Sequence, residues 1–204
     1  NVDGTLRPGL PGLTYRSNVQ PGDVKYVDLN GDGRIDANDC AYQLYAALPQ
    51  IYYGFNIELE WRGFGLNAYF QGMGRSTVTT TLASIYQPLY GNERNISEHY
   101  MESRWSPYNT SGHYPRLTTQ SNANNFAPSS LWTECGDFLK LRTLSLSYKL
   151  PARLASKIRM RECCLYLKGM NLFSADRIDI LDPEYINTGY PSARSYQIGF
   201  NLIF

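Results

Sequence analysis

The sequence predicts an all-β protein whose strands form part of a transmembrane antiparallel barrel. Five segments of roughly ten residues alternate between apolar and polar side chains, as expected for strands with one apolar face and one water-facing face. The connections between these segments alternate between long and short, and the last segment ends on the aromatic Phe204. Barrels of the outer membrane combine short periplasmic turns with longer extracellular loops in the same way.

The first two strands are predicted at about 51–61 and 64–71, with a tight turn at Arg62-Gly63 between them. In the first strand the odd-numbered residues are apolar or aromatic, and the even-numbered ones include Glu58 and Glu60. The second strand resumes the alternation, so the pair is a β-hairpin. The two glutamates are expected to line water on the polar face, and a catalytic carboxylate pair is the less economical interpretation.

A long polar segment and a strand with a change of phase follow the hairpin. Residues 72–137 are rich in Ser, Thr, Asn, Pro and Tyr, and are too long for an ordinary connection, so they are predicted to be an extracellular loop. The third strand is predicted at 138–150. Its leucines change phase between Leu141 and Leu144, which predicts a β-bulge near Arg142-Thr143.

The remaining strands are predicted at 163–170 and 195–204, with a second extracellular loop at 171–194. Residues 1–50 are rich in Gly and Pro and are predicted to form a further extracellular loop region. The short connections after the first and third strands then lie on the periplasmic side. Bacterial barrels need at least about eight strands, and an open sheet edge in lipid is prohibitively costly. The chain is therefore expected to be one portion of a larger barrel.

Strand alternation alone does not distinguish this barrel from a soluble β-sandwich, because the period of a strand does not reveal what its apolar face contacts. The alternative is a secreted calcium-binding β-sandwich that acts as a glycan-binding or adhesion module. The alternating loop lengths and the terminal Phe204 favour the barrel.

Composition excludes several other classes of protein. The net charge of +1 argues against nucleic-acid binding, and no apolar run approaches the ~20 residues of a spanning helix. The four cysteines form no CxxC pair and are predicted to be unpaired thiols. The sequence contains no GxSxG, HExxH or P-loop motif, and His99 and His113 are predicted to be surface residues, so an enzyme is not expected.

Residues 28–39, DLNGDGRIDAND, match the spacing of an EF-hand calcium loop. Oxygen donors at alternating positions can wrap one hard cation, and Gly33 allows the sharp turn between them. The predicted ligands are Asp28, Asn30, Asp32, the carbonyl of Arg34, Asp36 and Asp39. A metal-free turn is the alternative, because Asp, Asn and Gly also dominate ordinary turns. The predicted role of the calcium ion is structural.

Seven stretches together resemble the C-terminal part of the SusC/RagA-type TonB-linked outer-membrane transporters of Bacteroidetes. In order they are PGDVKYVDLNGDGRIDAND, YGFNIELEWRGFGLNAYFQGMG, YPRLTT, DFLKLRTLSLSYKLP, LYLKGMNLF, DPEY and YPSARSYQIGFNLIF, which cover nearly the whole chain. The resemblance implies a 22-stranded barrel in the cell outer membrane, an N-terminal plug, energy supplied through TonB, and a SusD-like surface lipoprotein as partner. It also implies import of large nutrients such as oligosaccharides or peptides. Nothing in this chain matches the plug or the TonB-contacting segment, so those parts are expected elsewhere.

Two sets of aromatic residues are candidate functional residues. The resemblance implies that the last strand carries an aromatic signal read by barrel-assembly machinery, formed here by Tyr196, Phe200 and Phe204. Aromatic side chains of the long loop are candidates for stacking on sugar rings or peptide side chains. These are Tyr86, Tyr90, Tyr100, Trp105 and Tyr108. The alternatives for them are anchoring at the membrane interface and a small core within the loop.

Overall fold

A computed structural model describes residues 9, 11–13, 19–43, 45–178, 181–185, 190 and 192–204. The chain divides into two compact units. Unit 1 comprises Asn1–Leu44 and Val78–Glu134, and unit 2 comprises Tyr45–Thr77 and Cys135–Phe204. No helix among the described residues is long and apolar enough to cross a membrane.

Unit 2 is built on one five-stranded antiparallel sheet, in which each strand pairs with its neighbours in the order β3-β4-β7-β8-β9. The strands are β3 (Ile51–Trp61), β4 (Phe64–Gly74), β7 (Phe138–Lys149), β8 (Glu162–Asp176) and β9 (Ser195–Ile203). The first two are joined by a two-residue turn in which Arg62 and Gly63 both have positive φ, as a type I′ hairpin turn requires.

The predicted strand positions lie within a few residues of the observed ones, with one larger difference. The predicted fourth strand ends at residue 170, whereas β8 continues to Asp176 and pairs there with the start of β7. The sequence pattern did not predict this extension, because the pairing register shifts near Asn171, which has a positive φ. The alternation therefore breaks although the strand does not.

The predicted bulge in β7 is confirmed. The pairing skips Arg142 on both sides of the strand, between Leu141 and Thr143. Because one extra residue restores the phase, the leucines before and after the bulge lie on the same face of the sheet. That face continues across neighbouring strands through Phe70, which stacks on Phe55 at 4.8 Å between ring centroids.

The two faces of the sheet differ in polarity. One face carries exposed large apolar side chains: Ile51, Phe55, Ile57, Leu59, Trp61, Phe64, Leu146, Leu165, Leu167, Phe173, Tyr196, Ile198 and Phe200. The other face is polar and hydrogen-bonded. For example, Glu58 accepts from Asn56 at 2.9 Å and from Asn67 at 2.6 Å.

Unit 1 contains short elements and much irregular structure. Its helix α1 (Glu98–Ser103) is capped by the Ser97 side chain, which accepts from the backbone N–H of Tyr100. Strands β1 (Gly12–Leu13) and β2 (Arg34–Ile35) form a two-stranded parallel sheet. Two further short strands, β5 (Thr77–Thr79) and β6 (Thr133–Cys135), pair with each other, and all their residues except Thr77 and Cys135 belong to unit 1. The prediction separated residues 1–50 from the rest, whereas the structure groups Asn1–Leu44 with Val78–Glu134, because contacts distant in sequence join them.

Candidate functional site

The aspartate-rich loop folds as a series of tight turns held by its own side chains. Asp28 accepts from the backbone N–H groups of Gly31 at 2.7 Å and Gly33 at 2.8 Å. Asp32 accepts from the N–H of Arg34 at 2.8 Å, and the Asn30 carboxamide accepts from the N–H of Asp32 at 2.9 Å. Gly31 and Gly33 both have positive φ, so these turns require glycine.

The end of the loop is closed by a reciprocal cap. Asp36 accepts from the N–H of Asn38, and Asp39 accepts from the N–H of Asp36, both at 2.8 Å. Asp39 also accepts from the N–H groups of Leu29 and Asn30. The bond from Asp36 contributes most to holding the pKa of Asp39 below its ordinary value, so the side chain stays charged at neutral pH.

The predicted metal ligands therefore share one loop, and their chemistry suits a hard cation because all are oxygen donors. Within the described residues, however, no three His, Cys, Asp or Glu side chains converge closely enough to hold a metal ion. The carboxylates accept backbone N–H groups as described. The calcium ligand set stays a prediction.

Several aromatic residues of the long loop form a core inside unit 1. Trp132 is 2% exposed and lies near Tyr86, Phe126 and Tyr114, at centroid distances of 5.3, 5.2 and 6.0 Å. Tyr100 is fully buried, stacks on Tyr114 at 4.6 Å, and donates its hydroxyl to the Pro115 carbonyl at 3.1 Å. Burial raises the pKa of Tyr100.

The five candidate substrate-contacting aromatics thus occupy different environments. Tyr100 lies in the core and is out of reach of a ligand in this conformation, and Tyr86 is tied to the core by a hydrogen bond to the Phe126 carbonyl. The Trp105 ring packs so closely on Gly22 that a Cβ there would lie 2.2 Å from it. Tyr90 and Tyr108 are exposed, and Tyr90 lies under the Arg94 guanidinium at 5.5 Å. Of the five, only these two are exposed.

A buried polar hub, which the sequence analysis missed, lies beside this core. The Asp23 carboxylate accepts from Arg116 Nε at 2.7 Å and from the Asn125 carboxamide at 2.8 Å. Asn125 is fully buried; its side chain also accepts from the N–H of Val24, and its carbonyl accepts from Trp132 Nε1, both at 2.8 Å. The hub joins the PGD and YPRLTT stretches, two of the motifs that carry the resemblance.

A second charged cluster, also missed, lies in unit 2. Lys140 of β7 is buried and pairs with Asp182 and with Glu184, the latter at 2.9 Å. Glu184 also pairs with Arg142, the bulged residue, whose Nε donates to Gln71 at 3.0 Å. Asp182 accepts from the N–H groups of Glu184 and Ser192 at 3.0 and 3.2 Å. The cluster joins the DFLKLR and DPEY stretches.

The carboxylates of this cluster are charged at neutral pH. Burial disfavours the charged form of Asp182 and Glu184, but hydrogen bonds from Lys140 to both, and from Arg142 to Glu184, outweigh it and lower both pKa values. A carboxylate whose pKa is lower in the folded state adds stability above its ordinary pKa of about 4. This stability is lost as the pH falls from there through the lowered values.

The remaining predicted aromatic residues and histidines are exposed, except His99, which is partly buried. Tyr196 and Phe200 of β9 and the terminal Phe204 are all exposed. His113 is exposed, and the rings of both histidines lie edge-on to Tyr114. Cys40, Cys135, Cys163 and Cys164 form no disulfide in the structure.

No protein-family model matches the chain. Two sequence relatives come from Formosa agariphila. TonB-dependent receptor P26 is 28% identical over 198 residues, which is 90% of this chain, and TonB-dependent receptor P3 is 27% identical over 94% of it. The chain spans about a fifth of the length of each relative, 20% in both cases.

Solved structures with the same fold include the RagAB peptide transporter. It covers 89% of this chain with 24% identity and a TM-score of 0.64, and the match spans 20% of that chain. The RagAB peptide importer in the open-open state covers 84% of this chain and 19% of its own length, with 21% identity and a TM-score of 0.59. The mostly-β fold is shared with these structures. The predicted family resemblance is confirmed: the sequence relatives are named TonB-dependent receptors, and the solved structure is named a peptide transporter.

Proposed function

We propose that this chain, which resembles TonB-dependent receptors over about nine tenths of its length, forms part of the barrel wall of an outer-membrane transporter for large nutrients. The observation that carries the proposal is the sheet of unit 2. Its apolar face is exposed along strands of nine to fifteen residues. Strands of this length with one apolar and one polar face suit a sheet between lipid and a water-filled lumen.

The edges of the sheet support a larger barrel. Each of the edge strands, β3 and β9, has a partner strand on one side only among the described residues. Unpaired backbone groups cost several kcal/mol each in lipid, so both edges need neighbouring strands from the rest of the protein. In the proposed arrangement this chain is the C-terminal portion of a 22-stranded barrel, with the connections 75–137 and 177–194 outside the cell.

The remaining parts of the transport system follow from the resemblance. The rest of the barrel and a plug lie elsewhere in the protein, TonB supplies energy through the N-terminal portion, and a SusD-like lipoprotein covers the extracellular side. The cargo is an oligosaccharide or a peptide, and the exposed rings of Tyr90 and Tyr108 are candidates to contact it. Tyr196, Phe200 and Phe204 serve as the assembly signal. In this proposal the segment contributes wall and vestibule and performs no catalysis.

The alternative β-sandwich requires a second sheet of comparable size against the apolar face. Among the described residues the other two sheets have two strands each, and every one of these strands is two or three residues long. The structure gives no support to this alternative.

The proposal is tested with spin labels on neighbouring residues of β9, in the full-length protein in lipid nanodiscs. Ile198 lies on the apolar face and Gln197 on the polar face. A label at Ile198→Cys is expected to collide mainly with dissolved oxygen, which concentrates in lipid, and a label at Gln197→Cys mainly with a water-soluble nickel complex. The four cysteines of this chain, and any others in the full-length protein, are first replaced by alanine. Equal exposure of both labels to the nickel complex would rule out a lipid-facing sheet.

We propose a structural calcium ion in the loop 28–39, bound by the predicted ligands. In the structure the carboxylates of the loop accept hydrogen bonds from backbone N–H groups. A bound cation would join these carboxylates to one another, and the added links would make the loop more rigid. In calorimetric titrations of the full-length protein with calcium, Asp28→Ala is expected to weaken affinity roughly tenfold or more, since ligand charge sets the affinity of such loops. Glu102→Ala, which removes an exposed acid elsewhere in unit 1, serves as the control. If both variants bind calcium like the wild type, the metal assignment is wrong.

A further inference from the structure

The connection between β7 and β8 concentrates positive charge. Residues 150–161 contain Arg153, Lys157, Arg159 and Arg161 and no Asp or Glu, in a chain whose net charge is only +1. All four cations are exposed, and none forms an ion pair with a described residue. The neighbouring pair, Lys149 with Glu162 at 2.9 Å, neutralises itself. The excess charge of this connection therefore faces solvent without compensation.

The same connection exposes apolar side chains among the cations. It contains the short helix α2 (Ala152–Lys157), which is anchored by the fully buried Ala155. Leu154 and Ile158, four residues apart, are both about half exposed. A segment that presents leucine and isoleucine together with Lys and Arg has the composition of surfaces that lie at a membrane–water interface.

Backbone hydrogen bonds hold the connection at one end of the sheet. Arg161 N–H donates to the Ile203 carbonyl at 2.7 Å, and Lys149 N–H donates to the Gly63 carbonyl at 2.7 Å. The hairpin turn at this end adds a fifth cation, Arg62, which lies 5.0 Å from the exposed ring of Trp61. Cations and aromatic side chains thus meet where the apolar face of the sheet ends, which is the position of the headgroup region for a membrane-spanning sheet.

We infer that this basic rim, defined as Arg62, Arg153, Lys157, Arg159 and Arg161, binds the headgroups of anionic phospholipids. The inference rests on the proposed function, because the sheet must span a bilayer for the rim to reach headgroups. Charge complementarity favours anionic lipids over zwitterionic ones. The exposed Leu154 and Ile158 favour a bilayer over an acidic protein partner, since apolar side chains beside the cations can enter the acyl boundary.

The test uses the full-length protein in nanodiscs of phosphatidylcholine with a minor fraction of phosphatidylglycerol. Native mass spectrometry measures the ratio of the two lipids that stay bound to the protein. A triple variant, Arg153→Gln, Lys157→Gln and Arg161→Gln, is compared with a control triple at the opposite end of the same sheet. The control changes Arg75, Arg177 and Arg194 to Gln, all exposed.

The rim triple is expected to lower the preference for phosphatidylglycerol roughly tenfold, and the control triple less than about twofold. Three rim cations lie in one stretch without an acidic residue, whereas the control cations are spread over two connections and Arg177 directly follows Asp176. An equal loss in both triples would mean that only net charge matters, and no loss in either would mean that the rim does not bind lipid; both results overturn the inference.

The spin-label contrast between Gln197 and Ile198 is measured in the same discs. If that contrast holds while the lipid preference is unchanged, the inference fails alone, and if the contrast is absent, the proposed function fails with it.

Discussion

Replacing Lys140 by methionine is expected to release the segment 181–185 from β7. The Lys140 side chain is only 4% exposed and pairs with Asp182 and Glu184, so its removal leaves Asp182 without a cation among the described residues and Glu184 with Arg142 alone. Breaking a buried pair from one side costs about 3–5 kcal/mol, because the remaining charge is left uncompensated. Hydrogen exchange at the amides of Glu184 and Ser192, which both donate to Asp182, is expected to become at least roughly 100-fold faster.

The matched control is the same substitution at the other end of the same strand. Lys149 pairs with Glu162, but both side chains are about half exposed. An exposed pair contributes less than about 1 kcal/mol, so Lys149→Met should leave the exchange of nearby amides almost unchanged. If the two variants behave alike, burial of the Lys140 cluster does not hold the segment in place.

Replacing Trp132 by alanine is expected to destabilise the fold of unit 1 by about 3–5 kcal/mol, the usual cost of removing a large buried aromatic side chain. Trp132 contacts Tyr86 and Phe126, and its Nε1 satisfies the Asn125 carbonyl at 2.8 Å. The loss is measured as faster hydrogen exchange and earlier proteolytic cleavage within residues 78–134 of the full-length protein.

Two companion variants separate the contributions. Tyr108→Ala removes a fully exposed ring from the same unit and should change stability by less than about 0.5 kcal/mol. Trp132→Phe keeps an apolar ring but leaves the Asn125 carbonyl without its donor, at a cost of about 1–3 kcal/mol. A Trp132→Ala protein as protected as the Tyr108→Ala protein would show that the core of unit 1 lies elsewhere.

The motifs behind the family resemblance prove to be physical partners. PGD contacts YPRLTT through the bond between Asp23 and Arg116, and DFLKLR contacts DPEY through the pairing of Lys140 with Asp182. In each pair one motif supplies a cation and the other a carboxylate. The opposite charges of these motifs were the available sequence signal, but nothing in the sequence states which motif meets which.

The aspartate loop and the long-loop aromatics mark the limit of local patterns. The predicted calcium ligands between Asp28 and Asp39 could be chosen from their spacing alone, because all of them lie within one loop. For the aromatics, no period separates the buried Tyr100 from the exposed Tyr108, since neither lies in a regular strand. The sequence therefore could not distinguish between a packed core and a binding surface for these aromatic residues.

The sequence by itself determined the strands of the sheet apart from the end of β8, their faces and the bulge at Arg142, because a period of two residues and its change of phase are properties of neighbouring side chains. Only the tertiary structure decided that Lys140 is buried under Asp182, 42 residues away, and that Asp23 meets Arg116 across 93 residues. Contacts of this kind join residues that are far apart in the sequence, and they form only when the long connections fold back on themselves. The pattern of neighbouring residues along a strand does not indicate which distant residues then meet.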